Sequence, residues 1–120
     1  MQLQYRIDQG TSLPAGFPVI TAREIYSPQI GFATNAAAPG GVIPVIQFVS
    51  GNGTNYEIWQ ISQKSATTWS APQRVSPPGG NAVFLHMVAD IRNNRPDIIW
   101  FDHTGSSVHY LSVPDLIAPW

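Results

Sequence analysis

The apolar positions of this chain fall in short runs broken by turn chemistry, which is the pattern of strands rather than helices. Gln2 to Asp8 alternates and is followed by a loop holding Gly10, Pro14 and Gly16. Pro18 to Thr21 reads as a brief strand. Glu24 to Ala33 reads as another, and Pro28 within it predicts an edge position or a bulge, because proline has no N–H for a ladder. Val42 to Val49 is mostly apolar, as in a strand covered on both faces. Ser50-Gly51-Asn52-Gly53-Thr54-Asn55 is a hairpin turn, since Gly and Asn accept positive φ, and Tyr56 to Ser62 is its return strand. Further strands are expected at Trp69 to Ser76, Ala82 to Ile91, Pro96 to Asp102 and Ser107 to Val113. Pro77-Pro78-Gly79-Gly80, Arg92-Asn93-Asn94-Arg95 and His103-Thr104-Gly105-Ser106 separate them.

The runs repeat. With the chain slid on itself by about 52 positions, Pro44 falls on Pro96, Ile46 on Ile98, Phe48 on Trp100 and Gly53 on Gly105, with no gap across the hairpin. Leu3 to Ile7 echoes Glu57 to Ile61, and Pro18 to Thr21 echoes Gln73 to Ser76. A period of roughly fifty residues with about four short strands is the signature of a β-propeller blade. The expected fold is therefore all-β. It comprises a half-blade at 1–21, a four-stranded blade at 22–76 and a partial blade at 82–113. A β-sandwich is the alternative, although a two-layer sandwich gives cleaner alternation than Val42 to Val49 shows. About two blades do not close a ring of four to eight. Copies of the chain are expected to complete it as a homo-oligomer.

Composition narrows the partners. Only 11% of the 120 residues are charged, and six Lys+Arg stand against seven Asp+Glu. There is no basic face to neutralise phosphates, so no nucleic-acid partner is expected. No apolar run has the length of a membrane span. Without cysteine, disulfides and thiolate metal sites are excluded. Met1-Gln2-Leu3-Gln4-Tyr5-Arg6 lacks the layout of a signal peptide. The chain then stays in its cell, is a mature form, or leaves by another route.

Tyr56-Glu57-Ile58-Trp59, then Ser62 to Thr68-Trp69-Ser70-Ala71-Pro72, then Arg74-Val75-Ser76, resembles the sialidase-type Asp-box repeat, Ser-x-Asp-x-Gly-x-Thr-Trp. Ser62, Thr68 and Trp69 are in register, while Lys64 stands for the Asp and Ala66 for the Gly. The resemblance implies a structural hairpin of a propeller blade, remote from any active site. It also implies a likeness to small two-bladed lectins that trimerise into a ring, and hence action at the cell surface or outside.

A sugar site needs an aromatic face for the C–H side of a pyranose and a few fixed polar groups. Trp59, Trp100 and Tyr110 supply candidate faces, and Glu57, Arg74, Asp102 and His103 the polar groups. Glu57, Trp59 and Arg74 are the residue types that two-bladed fucose lectins pair at a blade junction. The plainer reading of each Trp is core packing. His86, His103 and His109 lack metal-ligand spacing, so no metal or cofactor is expected. No pair of carboxylates has an informative spacing, and the arginines do not map onto a sialidase triad. The expectation is thus a glycan-binding lectin-like protein and not an enzyme. A structural or protein-interaction subunit and a fragment of a sialidase-like hydrolase are the alternatives.

Overall fold

A computed structural model describes residues 2–5, 17–21, 25–34, 36–51, 54–65, 68–90 and 95–112. They form an all-β protein of antiparallel sheets. Strands β1 (Gln2–Tyr5) and β2 (Phe17–Thr21) pair with one another. Strands β3 (Ile25–Thr34), β4 (Val42–Gly51), β5 (Tyr56–Ser62) and β6 (Gln73–Arg74) form a four-stranded sheet in chain order. Strands β7 (Ala82–Asp90), β8 (Arg95–Asp102) and β9 (Ser107–Ser112) form a three-stranded one. Asp8, Glu24, Gly53, Ile91 and Val113, on which some expectations fell, lie outside the described residues.

The local causes are visible. β4 is buried from Ile43 to Val49 on both faces, as its unbroken apolar run requires. β3 is an edge strand, and its register shifts between Tyr26 and Gln29, beside Pro28. Gly51, the last residue of β4, leaves no room for a side chain, since a Cβ there would lie 2.5 Å from the Tyr56 ring. The strand expected at Trp69 to Ser76 contracts to Gln73–Arg74. Outside it the amides of Ser70 and Val75 still donate to the Ser62 and Ile58 carbonyls (both 2.8 Å), while serine hydroxyls take the return bonds. The amide of Ser62 donates to Ser70 Oγ (2.9 Å), and that of Ile58 donates to Ser76 Oγ (2.9 Å). Between them the turn is closed by Ser65 and Thr68, whose hydroxyls lie 2.6 Å apart.

The two larger sheets share one register. Ile25↔Ser50 in the first corresponds to Ala82↔Asp102 in the second, and Tyr26↔Val49 to Val83↔Phe101. After a bulge in the same place, Gln29↔Gln47 corresponds to His86↔Ile99. Phe48↔Trp59 then corresponds to Trp100↔His109. The gapless match across the hairpin does not hold, because the turn from Asp102 to Ser107 is two residues shorter than that from Ser50 to Glu57.

Side chains alternate across a strand, so each sheet has two faces. Val49 and Ile58 on one face of the first sheet pack with Ala82, Leu85, Ile98 and Trp100 of the second. β7 accordingly lies against β3, β4 and β5. Ile46, Phe48 and Ile61 form a separate cluster on the opposite face of the first sheet. By the shared register, Ile98 and Trp100 occupy the positions of Ile46 and Phe48. The sheets therefore pack unlike face to unlike face, each turned the same way along the stack.

Candidate functional site

Three of the expected site residues converge at the β5–β6 margin. Trp59 is directly opposite Arg74 in the register, and Glu57 lies one pleat along β5 on the same face. Arg74 Nη1 approaches Glu57 Oε2 at 3.4 Å, with side chains 41% and 25% exposed. A pair this exposed contributes at most about 1 kcal/mol. Its single long contact leaves most of the guanidinium's donors facing outward among the described residues. Trp59 is half-buried and packs on the Ile46, Phe48 and Ile61 cluster, which fixes its ring beside the charged pair. The arrangement joins a held aromatic, a cation and a carboxylate on one surface.

The other four candidates lie elsewhere. Trp100 is a core side chain, 3% exposed and stacked on His109 with centroids 5.2 Å apart and planes at 12°. Its position in β8 turns it toward the first sheet, so it offers no platform to a ligand. Tyr110 is exposed on the outer face of the second sheet, and its hydroxyl donates to the buried Asp97 carboxylate. Asp102 caps the β8–β9 turn by accepting from the amides of Asn81 (3.1 Å) and Thr104 (2.9 Å). Burial alone would raise its carboxyl, but those backbone donors, together with the Thr104 hydroxyl and the charge of nearby His109, hold the group below its ordinary 3.8. Asn81 Oδ1 in turn accepts from the Tyr56 amide, which ties the two sheets together at this end (3.2 Å).

His103 follows Asp102 and borders a cleft that the sequence did not disclose. The cleft, of about 260 Å³, opens between the sheets and is lined by Tyr26, Ser27, Val49, Tyr56, Val83, Phe84 and His103. The Tyr26 and Tyr56 rings meet at 5.9 Å and 58°. Ser27 and Phe84 sit in the two bulges with φ of 48° and 53°. An aromatic residue beside an expected bulge was the available signal for Tyr26. Nothing in the sequence brings β3 and β7 together.

Among the described residues no group of three His, Asp or Glu side chains gathers as metal ligands would, and no helix is long and apolar enough to cross a membrane. Compared with known proteins, the chain matches no family model, no curated protein and no solved structure.

Proposed function

We propose that this chain is a carbohydrate-binding, lectin-like protein, with sheets that act as propeller blades and a ring completed by copies of itself. The observation that carries the binding reading is the convergence of Glu57, Trp59 and Arg74 on one face. A pyranose can lay its C–H side on the half-buried Trp59 while its hydroxyls bridge the charged pair. Such a site binds without a chemical step. The Asp-box resemblance and the Ser65–Thr68 turn between β5 and β6 are in keeping with a blade hairpin.

The assembly reading rests on the shared register. The face of the second sheet that carries Ile99, Phe101, Val108 and Tyr110 corresponds to the face of the first sheet that packs internally. Val108 is 69% exposed and Tyr110 62%. At the other end, Ile30 (51%) and Phe32 (57%) are exposed on the face that corresponds to the internal face of the second sheet. One uncovered face is thus of the kind that fits the other. Repeating the internal packing between copies is head-to-tail, and such contacts close into rings when the rotation permits. A trimer is the expected state, in which β2, the echo of β6, supplies the strand position that the three-stranded sheet lacks. The Glu57–Arg74 pair then lies at the margin of the seam.

Native mass measured with and without a panel of monosaccharides tests both parts. The expected result is a discrete multimer near three copies that gains thermal stability with one sugar class, and loses that gain in Trp59→Ala. A discrete multimer indifferent to every glycan would instead make the chain a structural or interaction subunit. A monomer would remove the propeller reading.

A further inference from the structure

We infer that the cleft between the two sheets is a second binding site, one for a small neutral planar ring compound with a single hydrogen-bonding group, of the phenol or indole class. The site lies on the opposite face of the first sheet from Glu57, Trp59 and Arg74 and shares no residue with them. Its failure would leave the sugar reading untouched.

Four features support it. The first is size. A dry cavity of about 150 Å³ takes one benzene ring, so about 260 Å³ takes a substituted or fused ring. The second is lining. Tyr26, Tyr56 and Phe84 present ring faces and edges, and aromatic pairs favour tilted or offset contact at such distances. Among the described residues no Asp, Glu, Lys or Arg lines the cleft to compensate a ligand charge. The polar groups present are the Ser27 and tyrosine hydroxyls and the His103 ring, enough for one substituent but few for the many hydroxyls of a sugar.

The third feature is exposure. Phe84 is 79% exposed, although a large ring ordinarily seeks cover. It is presented by a bulge with left-handed backbone, a conformation unfavourable for a non-glycine residue. Ser27 supplies the same strained conformation from the opposite wall. Sparsely populated backbone of this kind gathers at ligand clamps. The fourth is preorganisation. His103 is held by its backbone N–H, which donates to the Asn81 carbonyl (3.0 Å), and by the Asp102 cap on Asn81 and Thr104. Its ring stands edge-on to Phe101, at 5.4 Å and 77°.

The test is calorimetric or fluorescence titration of the full chain with indole and phenol, alongside cyclohexanol, tetramethylammonium and methyl pyranosides. The expected result is saturable binding of indole or phenol at one site per chain, with cyclohexanol at least tenfold weaker. Phe84→Ala should weaken indole at least tenfold, and His103→Ala several-fold, with unchanged thermal stability because both side chains are exposed. Trp59→Ala should leave indole binding intact. Phe84→Leu keeps apolar bulk without the ring and should lose binding as Phe84→Ala does. The proposal is overturned if indole and phenol do not saturate, if Phe84→Ala binds indole normally, or if tetramethylammonium or a pyranoside displaces indole at lower concentration.

Discussion

Ser27 and Phe84 occupy the same position of the repeat, each in the bulge of a sheet's first strand, and each with left-handed backbone at φ 48° and 53°. Neither is a residue type that favours this region. The strain thus recurs at one repeat position, whose two copies line the same cleft, and glycine should relieve it. Ser27→Gly is expected to raise stability by about 1 kcal/mol, offset in part by glycine's greater freedom in the unfolded chain. Ser27→Val should lower stability by at least as much, since a β-branched residue fits this region worst. Denaturant midpoints check both. A loss on Ser27→Gly would mean that the hydroxyl, not the backbone, holds the bulge.

Gln47 and Gln60 are a cross-strand pair within the internal face of the first sheet, 0% and 1% exposed. Gln47 Nε2 donates to Gln60 Oε1 at 2.7 Å, while Gln47 Oε1 and Gln60 Nε2 find no partner among the described residues. Removing one member strands the other, at a cost of about 1–3 kcal/mol. Removing both replaces a half-satisfied pair with apolar surface. Gln47→Leu and Gln60→Leu should each destabilise, and the double variant should lose much less than their sum, approaching the parent. Strict additivity in a double-mutant cycle would show that the pair is not coupled.

Asp102 makes a pH-dependent contribution. Its carboxyl is held below 3.8 in the fold, so the unfolded state binds the proton more readily. The stabilisation is complete above about pH 5 and is lost as pH falls through the folded value, below 3.8. The group is solvent-screened, so the effect is small. Asp102→Ala should cost about 1 kcal/mol at neutral pH and flatten this part of the acid limb of the stability profile. Gly80→Ala should act similarly, because a Cβ there lies 2.5 Å from Asp102 Oδ2 and displaces the carboxylate. An unchanged acid limb in Asp102→Ala would assign the pH dependence to other carboxylates.

The parts of the fold governed by local chemistry were legible. Val42 to Val49 has no polar side of any width, so its burial on both faces followed; Pro28 signalled an edge or a bulge, and β3 has both. The short β6 was not legible, because the serine hydroxyls of Ser70 and Ser76 replace ladder bonds that a sequence pattern assigns to backbone. Glu57, Trp59 and Arg74 could be named as types, but their meeting depends on the Trp59↔Arg74 register across a long turn. Trp100 and Trp59 read alike along the chain. Only the direction in which the sheets stack makes one of them core and leaves the other half-exposed. The same stacking makes the cleft, whose walls come from bulges far apart in sequence.

That stacking direction yields a sharp test of assembly. In a head-to-tail contact each copy uses two different faces, one carrying Val108 and the other carrying Ile30. Val108→Glu and Ile30→Glu place a charge on exposed positions, so each variant should fold as the parent does. Each should also abolish the multimer on its own, because either change blocks one side of every contact and burying an unpaired carboxylate is prohibitive. Mixing the two variants is the informative step. A Val108→Glu copy keeps an intact Ile30 face, and an Ile30→Glu copy keeps an intact Val108 face. Together they should form a one-to-one heterodimer that cannot grow, read as a doubled native mass with no ring. An interface that pairs one face with itself would give a different result: one of the two variants alone would still assemble, and mixing would restore nothing new.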